Sequence, residues 1–373
     1  MEAMDANCEA GSACLPGKKI ADRTFAEAAL ELSRQGDTRR ALTMLQQGID
    51  RSRHDGDKYG EITALNSAAL VHSMRGDFWL SLAASIDAFF LAKAHRDRLG
   101  AAHAMTMLAG SLLLMTPLDT EIGLLKRALS IAEEARDIRL QIRVQNLLGI
   151  MLGDSGNFAR AEMHFDTALI LSTAERTDFD RSRVLCNQAN LLRKRAQHAF
   201  ATGATSACAE YCAIGLTLIA RVEANCREHG KSVLLVDALR IAAMMFELQG
   251  LPERAIDTFG HAWKLAKEQK LRSTLPSLGL EIGRLELQAG RLNAAEATLT
   301  VALQEAVQFR PSPKSAELCE MMAAVRDMHG DARSAAHWRD ECHTARGAFD
   351  AVKRDVRAQI ARVAESVEAG EIG

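Results

Sequence analysis

Small residues recur every forty positions through most of this chain, and that recurrence limits the fold more than any other feature. Ala29, Ala69, Ala109, Gly149 and Ala189 are spaced by forty; one step of 54 leads to Ala243, and two further steps of forty reach Gly283 and Ala323. The unit is clearest over Asn146–Leu171, NLLGIMLGDSGNFARAEMHFDTALIL. It reads as two short amphipathic helices around a turn at Gly156. Gly149, Ala161 and Ala168 stand where the helices meet, and Leu148, Leu152 and Phe165 fill the space between them. A pair this small cannot bury its apolar face alone and requires stacked neighbours of the same kind.

The other positions of the frame agree. The turn falls at Gly36, Gly76, Thr116, Gly156, Gly250, Gly290 and Gly330. The second helix carries Ala41, Ser81, Glu121, Ala161, Ala255, Ala295 and Ala335, then Leu45, Ser85, Leu125, Phe165, Phe259, Leu299 and Arg339. Its last contact is Gly48, Ala88, Ala128, Ala168, Ala262, Ala302 and Cys342. Several turns read Gly-Asp or Gly-Asn: glycine takes the left-handed conformation that ends a helix, and Asp or Asn opens the next one. The 54-residue step places 14 extra residues in the fifth unit. They divide into about seven per helix, two turns each. Gly203 then becomes the turn, with Cys208, Cys212 and Gly215 in the second-helix frame.

These residues resemble the tetratricopeptide repeat family. Gly149, Gly156, Ala161, Phe165 and Ala168 reproduce its order of small, glycine, alanine, large apolar and alanine positions; Ala243, Gly250, Ala255, Phe259 and Ala262 do the same. The resemblance covers 21–345 and implies an all-α, right-handed superhelix of eight helix pairs, with repeats near 21–60, 61–100, 101–140, 141–180, 181–234, 235–274, 275–314 and 315–345. A period of forty exceeds the usual ~34, and such long repeats look like those of bacterial signalling arrays. Thr116-Pro117, Glu121, Ser85 and Arg339 depart from the pattern, and looser packing is expected there.

Residues 1–20 lack periodicity and are expected to form a disordered tail. A charged helix is expected from His343 to about Ala369, giving a C-terminal unit over 346–373. Its apolar residues Phe349, Val352, Val356, Ile360, Val363 and Val367 follow a narrow heptad-like stripe. Two readings stand: a helix capping the open end of the array, or a dimerising or signal-relay helix.

Composition narrows the function. The 46 basic and 48 acidic side chains nearly balance, which predicts neither a nucleic-acid partner nor a polybasic membrane surface. Eight scattered cysteines without a CxxC pair read as free thiols in a reducing compartment. The first residues are acidic without an apolar leader segment, and no run of 18 apolar residues exists, so a soluble cytoplasmic protein is expected. The sequence holds no P-loop, dinucleotide fingerprint, GxSxG or HExxH. Cys208 and Cys212, with His198 nearby, lack a clear fourth metal ligand and stand where small apolar side chains belong. No catalytic residue, metal or cofactor is expected.

The resemblance instead implies a concave groove lined by the first helix of each pair. Its positions are Asn66, His103, Thr106, Arg143, Asn146, Arg183, Cys186, Asn190, Arg193, Asp237, Arg240 and Arg284, with Asn187 alongside and Glu317 and Glu320 at the end. Asn can grip a peptide backbone through both amide atoms, and Arg can fork onto a carboxylate. The alternative is a set of solvated side chains, some paired with Asp154, Asp237 or Glu247. The expected function is a non-enzymatic scaffold that binds an acidic or C-terminal protein segment, as a bacterial regulator or adaptor. Two further readings are a sensor of a small anionic signal molecule, and a regulatory half separated from a signalling enzyme such as a diguanylate cyclase.

Overall fold

A computed structural model of the chain describes residues 18–112, 118–230, 232–307 and 313–370. Among them lie sixteen α-helices and no strand. In chain order these are α1 (Lys18–Arg34), α2 (Thr38–Asp55), α3 (Lys58–Arg75), α4 (Phe78–Ala94), α5 (Arg98–Leu112), α6 (Leu118–Glu134), α7 (Ile138–Asp154), α8 (Phe158–Ala174), α9 (Asp178–Ala201), α10 (Thr205–Glu228), α11 (Ser232–Leu248), α12 (Pro252–Glu268), α13 (Leu275–Gln288), α14 (Leu292–Val307), α15 (Pro313–Met328) and α16 (Ala332–Glu368). Each helix packs on the next, giving eight antiparallel pairs. The odd helices also touch one another: α1 packs on α3, α3 on α5, α5 on α7, α7 on α9, α9 on α11 and α13 on α15. The odd helices therefore form the inner, concave layer of a superhelix. The turn Thr116-Pro117 and most of the N-terminal tail lie outside the described residues; α1 starts at Lys18, inside the stretch read as tail.

The small residues of the frame are closed contacts. Ala29, Ala69, Ala109, Ala189 and Ala243 are fully buried, as are Ala161, Ala168, Ala255 and Ala262. Gly149 shows why no larger residue fits: a Cβ there would lie 2.7 Å from Cε1 of Phe165. Glycine in mid-helix costs up to about 1 kcal/mol against alanine, and here that cost is offset by seating a fully buried aromatic ring. The fifth pair carries its extra residues as the spacing predicts, with α9 and α10 each 24 residues long against 17 in α7 and α8.

Turns within pairs use glycine, with φ of 74° at Gly76 and 79° at Gly156. Turns between pairs follow a second rule that the sequence reading did not find. Arg96, Arg136, Arg176 and Lys270 hold the left-handed position there, with φ of 53–55°. A cation at a helix C-terminus interacts favourably with its exposed carbonyls, which helps a side chain tolerate that conformation.

Departures from the frame are filled by other means. Ser81 and Ser85 are fully buried; Ser81 Oγ donates to Ala69 O at 2.9 Å and Ser85 Oγ to Ser81 O at 2.6 Å. Arg339 points outward to Asp327, and the neighbouring Trp338 packs into the core of the last two pairs.

The C-terminal segment is not a separate helix. It continues α16 through residue 345 to a length of 37 residues. The far end crosses to the second and third pairs, where Val356, Ile360 and Val363 are buried in one core cluster with residues of α4 and α6. Phe349, Val352 and Val367 pack partly buried against that cluster. Lys93 Nζ donates to Ser366 Oγ at 3.0 Å, and Arg362 lies 5.3 Å from the centre of the Phe90 ring. The stripe expected as a dimer seam is thus consumed inside the chain, because apolar surface buried intramolecularly is no longer offered to a second copy.

Two outcomes test this packing. Gly149→Ala should lower stability toward urea by about 1 kcal/mol, because overpacking costs 1–3 kcal/mol and the helix gains at most about 1. Gly123→Ala, at an exposed helical site with no atom within 4 Å, should raise it. Ile360→Asp should speed hydrogen exchange over 346–368 while leaving α7–α12 protected; unchanged exchange would contradict the docking of α16.

Candidate functional site

The inner layer of the fourth, fifth and sixth pairs carries most of the cations expected in the groove. Local structure decides which of them are free. At Asn66, Nδ2 donates to the carbonyl of Gly100 at 3.0 Å, tying α3 to α5. His103 Nε2 lies 3.1 Å from Asp137 Oδ2. Burial lowers the His103 pKa. For Asp137, burial alone would raise the pKa, but the His103 contact and the Leu140 amide hold it well below the usual carboxylate range. Asp137 is also the N-cap of α7, accepting from Leu140 N at 2.9 Å.

Three positions read as groove-facing are buried between inner helices instead. Thr106 is fully buried and donates to Ala102 O. Cys186 is 2% exposed, and burial pushes its thiol pKa up. Asn146 is 6% exposed, and its Oδ1 accepts from Asn187 Nδ2 at 2.9 Å. Adjacent inner helices approach closely along this line, so the Asn146–Asn187 pair pins α7 to α9. Asn190 accepts from Arg193 Nε at 2.8 Å, and Arg193 also reaches Gln197 at 3.0 Å.

Arg284 is committed to the protein. Its two terminal nitrogens donate to both oxygens of Glu247 at 2.7 Å, and it also bonds Glu281 at 3.0 Å. The hydrogen bond to Glu247 is the main reason its pKa is raised. Arg240 has only a loose pair with Asp237 at 3.8 Å and a sulfur contact to Met244. The cleft of about 400 Å³ between α13 and α15 is lined by Glu281, Arg284, Glu317, Glu320 and apolar residues. Its acids are also engaged, Glu317 by Lys314 and Glu320 by Arg346, each at 2.7 Å.

Arg143 on α7 and Arg183 on α9 differ from all of these. Both are partly exposed, yet burial by the narrow channel is the largest influence on each and lowers both pKa values. Neither forms a hydrogen bond or ion pair with the described residues. Arg183 lies over the Phe179 ring, 4.6 Å from its centre. Two residues that the sequence reading did not single out complete this region. Arg34, at the end of α1, reaches across the superhelix to the same ring at 5.2 Å, and Asp180 is the nearest opposing charge. Arg139 pairs across the channel with Glu27 at 3.3 Å. No sequence signal links Arg34 to Phe179, since nothing local encodes a contact between the first and fifth pairs. These cross-channel contacts are weak: an exposed ion pair is worth about 0–1 kcal/mol and an exposed cation–π contact about 0.5–1.

Other chemistry is not assembled. No group of three or more His, Cys, Asp or Glu among the described residues is placed to hold a metal. Cys208 and Cys212 are buried, and burial raises the Cys212 pKa to about 12. No helix of the described residues is long and apolar enough to cross a membrane.

No protein-family model matches the chain. No curated protein matches it either. Solved structures do share its architecture. A Rap protein complexed with competence and sporulation factor is 11% identical, with a TM-score of 0.60 over 94% of this chain and 99% of that one. A signal transduction ATPase with a tetratricopeptide repeat sensor, from Pyrococcus horikoshii, is 14% identical, with a TM-score of 0.50 over 92% of this chain and 48% of that one. At such identities the likeness concerns the fold.

The division between paired and unpaired arginines predicts opposite responses. Arg284→Met should cost about 1.5–3 kcal/mol, the range for hydrogen bonds to charged groups, because it strands Glu247 and Glu281. Arg183→Met should leave stability toward urea unchanged or raise it, since it removes a desolvated charge without a counter-ion. Equal losses in the two variants would refute the distinction.

Proposed function

We propose that this chain, a helical repeat protein of the tetratricopeptide type, is a non-catalytic scaffold that binds an extended acidic peptide segment along its concave face. The observation that carries the reading is the pair of guanidiniums at Arg143 and Arg183. They sit one repeat apart on the inner layer, desolvated and without an ionic partner. A protein gains nothing in stability from such charges, whereas a ligand carboxylate would satisfy them through paired hydrogen bonds. Arg240, loosely held one pair further on, extends the same line. The complex of the Rap protein with its factor supports the reading, as an instance of this fold carrying a partner.

The regulatory role follows the same logic. A segment spanning several inner helices would change how neighbouring pairs lean on each other, and α16 joins the last pair to the second and third. Binding would then alter the docking of α16, which is the relay reading of that helix. A small anionic signal molecule is the second reading, supported by the same two unpaired guanidiniums.

A displayed library of random heptapeptides separates these. Wild-type protein should enrich peptides with Asp, Glu or a free C-terminus. Arg143→Glu with Arg183→Glu should weaken binding of the enriched peptides by at least tenfold, with helicity unchanged by circular dichroism. No enrichment by the wild type would refute the peptide reading. Equal binding by the double variant would move the site elsewhere.

A further inference from the structure

Three guanidiniums from three helices converge where the first pair meets the fourth and fifth. Arg143 and Arg183 come from the inner wall, and Arg34 comes from the opposite side at the end of α1. Arg34 and Arg183 approach the same Phe179 ring, at 5.2 and 4.6 Å from its centre. Each of the three lies within electrostatic reach of the others: Arg34 acts on both Arg143 and Arg183, and Arg143 acts on Arg183. Like charges so placed repel and favour separation of α1 from α9. The local compensation is slight. Arg34 has the exposed Glu31 at 3.3 Å on its own helix. Asp180 lies near the cluster but forms no ion pair with the described residues. Phe179 orients two of the cations without neutralising either.

We propose that Arg34, Arg143 and Arg183 form one oxyanion site shared between α1, α7 and α9, so that an anionic group entering the channel draws α1 shut over it. This rests on the concave-face reading above and adds to it the group recognised and the element that responds. The chemistry is that of a carboxylate or a phosphate: several oxygens around one centre can each accept from a different guanidinium. With the anion present, the repulsion that opposes closure becomes attraction to a common centre. The pre-existing links, Arg139 to Glu27 and Arg34 to Phe179, then set the position to which α1 closes. The first pair is in this sense a lid, and Arg34 is the residue that couples it to the ligand.

Hydrogen exchange with the full chain tests the site, with inorganic phosphate, acetate, and one short peptide made both as free acid and as C-terminal amide. Each is compared with chloride at matched ionic strength. We expect phosphate or a carboxylate to slow exchange in α1 at least tenfold and to have no such effect in Arg34→Gln or Arg183→Gln. A response to phosphate alone, or to acetate and the free-acid peptide alone, supports the site and identifies the headgroup. No change in α1, or the same protection in Arg34→Gln, overturns it; uniform protection of every helix, as excluded salts produce, does so too. Should a variant lose helicity, the guanidinium Nε resonances of the wild type decide. Three of them shifting with one dissociation constant supports the site, and none shifting refutes it. Tight peptide capture that persists in Arg34→Gln would refute the lid while leaving the concave-face reading intact. Absence of any capture by the wild type would remove that reading itself.

Discussion

Everything in this molecule depends on how closely paired helices approach at their small residues. Gly149 under the Phe165 ring and Gly283 under Leu299 leave no room for a methyl group, with Cβ positions 2.7 Å from the opposing side chains. At other repeats the same place is taken by fully buried alanines. Close approach lets one large residue per pair fill the seam, and repeated seams form a continuous core that no single pair could supply. Because each contact repeats with nearly constant geometry, the small rotation between pairs accumulates until distant pairs meet.

That meeting is what separates this array from an open groove. α1 reaches the fourth and fifth pairs through Glu27–Arg139 and Arg34–Phe179. The α3–α4 turn meets the start of the seventh pair, where Ser273 Oγ donates to Arg75 O. α16 docks on α4 and α6. Curvature thus turns an extended inner surface into a narrow channel, and the channel walls desolvate the arginines inside it. Desolvation and lack of partners coincide at Arg143 and Arg183, whereas Arg284, of the same residue type on the same inner layer, is neutralised twice over by Glu247 and Glu281. Residue type and repeat position do not separate these cases; the neighbours on the next helix do.

Much of the fold was legible in the sequence because its determinants are local and repeated. A glycine after a helix, an Asp at the next helix start and a small residue at fixed phase act within a few turns of one another. Even the enlarged fifth pair could be divided correctly between α9 and α10. The departures were harder to read. Ser81 and Ser85 suggested loose packing, but their hydroxyls bond to backbone carbonyls within the core. The vacancy at Arg339 is met by Trp338 one residue earlier, which a fixed frame cannot anticipate. The basic left-handed residues Arg96, Arg136 and Arg176 were visible at the same period, yet cations at exposed turns resemble ordinary surface charge.

The candidate site was legible only in part. Periodicity identified the inner layer, so Arg143, Arg183 and Arg240 were named from sequence alone. It did not distinguish them from Asn146, which is buried as a pin between α7 and α9, or from Arg284, which is ion-paired. Sequence by itself determined the repeat, the helix lengths and the phase of the buried faces, because those follow from contacts between residues close along the chain. Only the tertiary structure decided that α1 and α16 cross the superhelix, and therefore which charges lose their water and which apolar stripe is consumed. Those outcomes depend on contacts between residues more than a hundred positions apart, set by rotations that no single repeat contains.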